Sequence, residues 1–159
     1  MTEPVITSRR FWEDLQLGEV IELGRTTVTR DMITSFAREF DPFPFHLDES
    51  AAQASLLGGL AASGWQTGAL CLRMLGDTFL ATTNSAGIVS VRDLKWKHPV
   101  MVGDDIGGTA MIAETTRYPS HPDLGLVALD FDVSDQKRQT VLQMRLSLRV
   151  ATRAFGVSA

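Results

Sequence analysis

The chain has 159 residues, a length that fits one domain with a buried core. Its 44% hydrophobic and 21% charged residues are typical of a globular protein and exclude an intrinsically disordered chain. A formal net charge of −4 argues against nucleic acid as the main partner, because phosphate binding requires clustered lysine and arginine.

The sequence favours a cytoplasmic protein without a membrane span. The first ten residues lack the apolar core of a secretory signal. The most apolar stretch, residues 64–81, is interrupted by Gln66, Arg73 and Asp77, as expected of a buried helix. The single cysteine, Cys71, cannot form an intramolecular disulfide, which fits a reducing compartment or a protein indifferent to it. Cys71 is expected to be a core thiol without a nucleophilic role.

The first part of the chain predicts one strand and one helix. Residues 20–28 alternate and are rich in β-branched side chains, which indicates a strand. Apolar residues at helical spacing then predict a helix that Thr29 caps and that ends before Pro42. Its buried stripe is expected to consist of Met32, Ile33, Phe36, Ala37 and Phe40.

A long apolar helix is predicted to open at Ser63 and to lie in the middle of the domain. Ser63 and Gln66 fit a Ser-x-x-Gln capping box, in which the glutamine side chain reaches back to the backbone of the cap residue. Gly68 and Gly76 suggest that neighbouring backbone approaches this helix closely. A short helix from Asp48 to about residue 55 is expected to precede it.

After the long helix the pattern changes to strands. Four runs rich in β-branched residues are separated by turns and cover 88–96, 106–116, 124–134 and 140–151. Strands joined by short turns pair antiparallel, so these runs predict an antiparallel sheet. The apolar face of such a sheet has to be covered, and the long helix is the expected filling.

Three segments carry a resemblance to a known family. They are the stretch 36–48, the triplet Ala62-Ser63-Gly64, and Lys97-His98-Pro99-Val100 with Gly103-Asp104. In them the chain resembles the MaoC-like dehydratases, or R-specific enoyl-CoA hydratases, with a similarity that covers about residues 11–149. The resemblance implies an α+β fold, a single hotdog domain in which a curled antiparallel sheet wraps around a long central helix. That domain would span 1–159, with loose termini at about 1–8 and 155–159.

The family signature reads roughly Gly-Asp-x-Asn-Pro-aliphatic-His, and Asp41, Pro44 and His46 fall on its Asp, Pro and His. Phe40 stands at the family's glycine and Phe43 at its asparagine. By resemblance, that asparagine helps to bind the water or orient the dyad. Phenylalanine at 43 therefore predicts another way of holding the water, an altered acyl pocket, or a loss of activity.

Hydration of a 2-enoyl thioester needs water at Cβ, a proton at Cα and a stabilised enolate oxygen. The resemblance implies that Asp41 and His46 hold one water and act as base and acid. With Ser63 as N-cap, Gly64 would offer a free backbone N–H to the oxyanion, and its missing side chain would let the thioester approach. We therefore expect an acyl-CoA hydratase or dehydratase with Asp41, His46 and Gly64 as catalytic residues.

The predicted substrate-binding residues are Phe43, Ser63 and Trp65, and the phenylalanines at 40, 43 and 45 suggest a tight apolar site. Trp65 and Trp96 are both candidates for lining an acyl pocket, and aromatic core packing is the interpretation favoured for each when it is taken alone. No cofactor is expected beyond the CoA or acyl carrier of the substrate. The three histidines show no metal-ligand spacing, and His98 and His121 are interpreted as structural or solvated.

Other interpretations stay open for single residues and for the whole chain. Taken alone, Asp41 fits a turn, His46 a core histidine and Gly64 a packing position. The scaffold also suits a thioesterase in which Asp41 activates water, or a catalytically silent acyl-CoA-binding or partner subunit, which Phe43 would favour. In each case we expect a homodimer or higher homo-oligomer, because exposed edge strands pair readily.

Overall fold

The structure, a computed structural model, describes residues 9–156. Residues 1–8 and 157–159, and with them most of the predicted loose termini, lie outside the described residues. The elements follow in the order β1 (Val20–Thr27), α1 (Arg30–Phe40), α2 (Glu49–Gln53), α3 (Gly64–Thr78), β2 (Ser85–Trp96), β3 (Asp105–Arg117), β4 (Leu124–Ser134) and β5 (Thr140–Ala151). A 3₁₀ turn spans Arg153–Gly156.

The strands of the described chain form one antiparallel sheet in the order β1-β3-β4-β5-β2. Short turns join β3, β4 and β5, which pair in sequence as predicted. Strand β2 does not pair with β3, and the expectation that it would was wrong. Instead it pairs with β5, with Val91 opposite Leu146 and Trp96 opposite Leu142. The connection 97–104 is long enough to carry the chain across the sheet.

One face of the sheet packs against α3. Along β5 the buried residues alternate with half-buried ones, which is the pattern of a strand with one face in the core. Helix α3 contributes Cys71, Met74 and Leu75 to the same hydrophobic cluster as the inward side chains of β3, β4 and β5. The sheet thus wraps the long helix, and the expected hotdog architecture is confirmed.

Helix α1 places its C-terminus at the candidate site. The Thr29 hydroxyl accepts a hydrogen bond from the backbone N–H of Met32, so the predicted cap is confirmed. The N–H of Asp41 donates to the Ala37 carbonyl oxygen and closes the last turn. The predicted stripe is wrong at Phe40, which is 66% exposed and contacts Phe36 one turn away on its own helix.

The N-terminus of α3 is capped, though not by a capping box. The Ser63 hydroxyl accepts from the backbone N–H of Trp65 at 3.2 Å, which confirms Ser63 as the N-cap. The side chain of Gln66 is buried, and its Oε1 has no hydrogen-bond partner among the described residues. The predicted reach of Gln66 back to Ser63 was therefore wrong.

Helix α3 is more exposed than its sequence suggested. A Cβ placed on Gly68 or Gly76 would meet no atom within 4 Å, so the expected close approach of backbone is wrong. Trp65 and Leu72 lie on a face of α3 that the rest of the described chain leaves exposed. None of the helices within residues 9–156 is both long and apolar enough to cross a membrane.

Candidate active site

Asp41 and His46 lie at the two ends of a short, stiff segment that follows α1. Pro44 starts a 3₁₀ turn at a position where its missing N–H costs no hydrogen bond. The backbone N–H of His46 donates to the Phe43 carbonyl oxygen at 2.9 Å. This segment places Oδ2 of Asp41 3.6 Å from Nε2 of His46. The structure thus brings together the carboxylate and the imidazole that the family resemblance had paired.

A carbonyl group fixes the orientation of the His46 ring. Nδ1 of His46 lies 2.7 Å from the carbonyl oxygen of Ala61. Since a carbonyl only accepts hydrogen bonds, we assign a proton to Nδ1. In the neutral ring Nε2 is then an acceptor that faces the Asp41 carboxylate. Two acceptors need a donor between them, so the pair is set up to share a proton or a water molecule.

The ring is also shielded from solvent. The side chain of His46 is 8% exposed and that of Asp41 is 18% exposed. The Phe45 ring stands edge-on to the imidazole, with centroids 4.7 Å apart. Electrostatic interactions between the two groups are stronger in this environment than they would be in bulk water.

The opening of α3 supplies a backbone donor near this pair. Because the Ser63 hydroxyl bonds to the Trp65 N–H, it does not occupy the N–H of Gly64, the first residue of the helix. The helix dipole adds positive potential at this end. The geometry therefore allows Gly64 to act as a donor to a negatively charged oxygen.

The indole of Trp96 covers one side of Gly64. Its Nε1–H donates to the Gly64 carbonyl oxygen at 2.7 Å. A Cβ on Gly64 would lie 2.7 Å from Cε2 of this indole, which is too close for any side chain. The glycine is thus needed for the packing of Trp96, and the open approach expected beside its Cα is wrong on this side.

The two tryptophans form a pair at the surface of the described chain. Trp65 and Trp96 meet edge to face, with centroids 5.2 Å apart and an interplanar angle of 77°. Trp65 is 64% exposed and Trp96 is 44% exposed. Core packing, the interpretation favoured for both residues, is therefore wrong for both.

A cavity of about 310 Å³ lies between the His46 turn, the start of α3 and the connection that follows β2. His46, Gly64 and Trp96 line it. The rest of its wall is mainly apolar and includes Phe45, Leu57, Ala61, Ala62 and Val100. Asp41 does not line this cavity, but it lies beside His46, which does. Its volume is at the lower end of the range for small-molecule sites.

The predicted substrate-binding residues lie around this cavity and not in its wall. Phe43 is 58% exposed and stacks on Phe45, with centroids 5.3 Å apart. Ser63 is fully buried, and Trp65 contacts Trp96 without lining the cavity. Their role in binding stays a prediction. The tight aromatic site is wrong for Phe40 and Phe43, since only Phe45 contributes to the wall.

Lys97 and His98 also line the wall. From the sequence, Lys97 was a candidate for contact with CoA phosphates or a residue of a solvated strand face, and His98 was not assigned to the site. Nδ1 of His98 lies 2.8 Å from the Thr140 carbonyl oxygen, which anchors the connection to β5. The backbone N–H of Ala62 donates to the Val100 carbonyl oxygen at 2.8 Å and draws the same connection to the start of α3. The signal was present, because the motif 97–100 contributed to the family resemblance.

Cys71 lies in the core, away from this constellation. Its side chain is fully buried in α3, and burial raises the pKa of the thiol to about 12. The expectation of a core thiol is confirmed.

Comparisons with known proteins identify a family for this chain. A family model described as "MaoC like domain" matches residues 14–121. A MaoC-like dehydratase from Rhodospirillum rubrum is similar in structure, with 37% identity and a TM-score of 0.80, over 91% of this chain and 98% of that one. A monoamine oxidase regulatory protein from Archaeoglobus fulgidus has 26% identity and a TM-score of 0.84, over 91% and 96% of the two chains. The uncharacterized protein YdeM of Bacillus subtilis (strain 168) is 26% identical over 144 residues, which are 87% of this chain and 96% of its own.

Proposed function

Because the chain belongs to the MaoC-like domain family, we propose that it adds water to the double bond of a 2-enoyl thioester or removes water from a 3-hydroxyacyl thioester. The observation that carries this proposal is the 3.6 Å approach of Asp41 Oδ2 to His46 Nε2, beside a cavity that also reaches Gly64. A hydratase and a dehydratase use the same groups, because one reaction is the reverse of the other.

In the hydration direction, Asp41 and a protonated His46 hold one water between them. The Asp41 carboxylate takes a proton from this water as its oxygen bonds to Cβ of the substrate. His46 gives its Nε2 proton to Cα, while Nδ1 keeps its hydrogen bond to Ala61. The proton then returns from Asp41 to His46, so the pair ends the cycle as it began. Each proton transfer contributes on the order of 10²–10⁴-fold in rate.

Negative charge develops on the thioester oxygen when water attacks Cβ. The backbone N–H of Gly64 donates to this oxygen, and the dipole of α3 adds to the stabilisation. One such donor is worth about 3–4 kcal/mol in related sites. The reaction needs no cofactor beyond the CoA or acyl carrier that belongs to the substrate.

We also propose that a second copy of the chain pairs along β2. This strand lies at one end of the sheet order, so only one of its sides is paired within the described chain. Ile88, Val89 and Val91 are each at least 40% exposed, as is Trp65 on the neighbouring face of α3. Pairing would cover this apolar surface and remove the sheet edge. A cytoplasmic location is proposed from the sequence alone.

The activity is tested with purified protein, crotonyl-CoA and longer trans-2-enoyl-CoA substrates. We expect the absorbance of the conjugated thioester to fall and a 3-hydroxyacyl-CoA to form. A parallel assay for free thiol identifies thioesterase activity, which would release CoA without hydration. If a folded sample hydrates none of the chain lengths, the proposed function is wrong for simple acyl groups.

A further inference from the structure

We propose that Trp96 determines acyl-chain length, with its indole closing the acyl pocket so that short 2-enoyl groups are preferred. This inference rests on the proposed function and adds a substrate class to it. Neither the motif that carries the family resemblance nor the catalytic pair requires a tryptophan at this position.

The indole of Trp96 is held in place at the site. The hydrogen bond from Nε1 to the Gly64 carbonyl oxygen and the edge-to-face contact with Trp65 restrain it from two sides. Contact with the Gly64 backbone leaves no gap on the third side, since even a methyl group there would overlap the ring. A side chain restrained in this way acts as a fixed wall, even though it is 44% exposed.

Trp96 lines one of two apolar spaces that follow each other along α3, and Trp65, which contacts its indole, lines the other. The cavity of about 310 Å³ contains His46 and Gly64 in its wall. One helical turn further on, Gly68 lines a groove of about 410 Å³ between α3 and β2. Leu94, two residues before Trp96 on β2, lines the groove as well. An acyl chain that extends from the cavity toward this groove would meet the tryptophan pair, with the indole of Trp96 on the cavity side.

The size of the cavity fits this role. At about 310 Å³ it is small for a ligand site, and Trp96 forms part of its wall, which favours a short acyl group. Replacing the indole with a methyl group frees the volume of the ring, and we expect this to enlarge the cavity on the side of the groove. Each methylene that gains an apolar contact changes kcat/KM by about tenfold or more.

The experiment compares trans-2-butenoyl-CoA with trans-2-octenoyl-CoA on the intact assembly. For each enzyme we measure the ratio of kcat/KM for the eight-carbon substrate to that for the four-carbon substrate. We expect wild type to favour four carbons, and Trp96→Ala to raise this ratio by about tenfold or more. Trp96→Phe keeps an aromatic wall but loses the bond to Gly64, so its ratio should stay within about threefold of wild type. Since both substrates are measured on one sample, partial unfolding lowers both values and leaves the ratio unchanged.

Binding of butyryl-CoA and octanoyl-CoA, measured by calorimetry, separates this inference from the proposed function. If wild type hydrates neither substrate, the proposed function is wrong. The ratio of the affinities for octanoyl-CoA and butyryl-CoA, compared between wild type and Trp96→Ala, then tests the inference. Preference of wild type for eight carbons would overturn the inference. An unchanged ratio in Trp96→Ala would also overturn the inference. If wild type hydrates its substrates in that case, the proposed function stands.

Discussion

Nδ1 of His46 and the carbonyl oxygen of Ala61, 2.7 Å apart, join the turn that carries the imidazole to the segment that opens α3. Ala61 precedes the helix cap Ser63 and forms a β-bridge with Met101. This hydrogen bond therefore sets the ring orientation relative to both the Gly64 donor and the connection 97–104. The acid and base roles of His46 and Asp41 depend on this hydrogen bond, because it leaves Nε2 as the ring nitrogen that faces Asp41.

Asp41→Asn should abolish most activity and preserve the fold. The amide keeps the size of the carboxylate but cannot take a proton from water, so kcat should fall by about 10²–10⁴-fold. Hydration of an enoyl-CoA gives the rate, and circular dichroism checks the fold. Glu39→Gln, which changes an exposed carboxylate on α1, is the matched control and should retain wild-type activity. An Asp41→Asn enzyme within threefold of wild type would exclude Asp41 as the base.

His46→Gln separates proton transfer from packing. A glutamine amide can still donate to the Ala61 carbonyl oxygen, while it has no proton to exchange near neutral pH. We expect a loss of about 10²–10⁴-fold in kcat with little change in the midpoint of urea unfolding. His46→Ala should lose stability as well, because it leaves a buried carbonyl without its donor. His121→Gln is the control, since that ring stacks on Tyr118 away from the site.

The sequence predicted the strands well because their alternation and turns are local signals. Both ends of β4 and of β5 lie where the pattern placed them. The position of β2 beside β5 was not predicted, because strand order depends on contacts distant along the chain. The exposure of Trp65 and Trp96 was not predicted either. An apolar pattern indicates a surface that is buried, but it does not show whether the same chain or a partner covers that surface.

The candidate site was predicted in part. The family resemblance implied that Asp41 and His46 act together, and the structure places the two side chains 3.6 Å apart at the ends of a segment with two prolines. The partner of His46 is a backbone carbonyl, which has no sequence signature. Likewise, the reason for glycine at 64 lies in the indole of Trp96, which is distant in sequence. The family predicted from the combined motifs is confirmed by the match over residues 14–121.

Gly64→Ala should destabilise the protein through a clash with Trp96. The new Cβ would lie 2.7 Å from the indole, and such overpacking costs about 1–3 kcal/mol. Urea unfolding measures the free energy of unfolding. In a Trp96→Ala background the same change should be neutral, because the ring is gone, and the difference gives the coupling between the two positions. Equal costs in both backgrounds would contradict the packing role of Gly64.

Ile88→Lys should weaken the proposed homodimer. Ile88 is 45% exposed on β2, and burying an ammonium group at a paired edge is unfavourable. Light scattering should show a dimer or larger assembly for wild type and a shift to monomer for the variant. Leu17→Lys changes a residue that is 68% exposed far from β2 in sequence, and it should not alter the assembly. A monomeric wild type would refute pairing along β2.

Cys71 should be inert in the folded protein and reactive only after unfolding. Burial raises the pKa of its thiol to about 12, and the thiolate is the reactive form. At pH 8 a thiol reagent should modify native protein slowly and urea-unfolded protein rapidly. Because the thiol pKa is higher in the folded than in the unfolded state, Cys71 contributes to the free energy of unfolding. This contribution is fully present below about pH 8.5, the usual pKa of a free thiol. It is lost as the pH rises toward 12, and Cys71→Ala should flatten this part of the stability profile. Rapid modification of native protein at pH 8 would show that the thiol is accessible and ionised, contrary to the packing of α3.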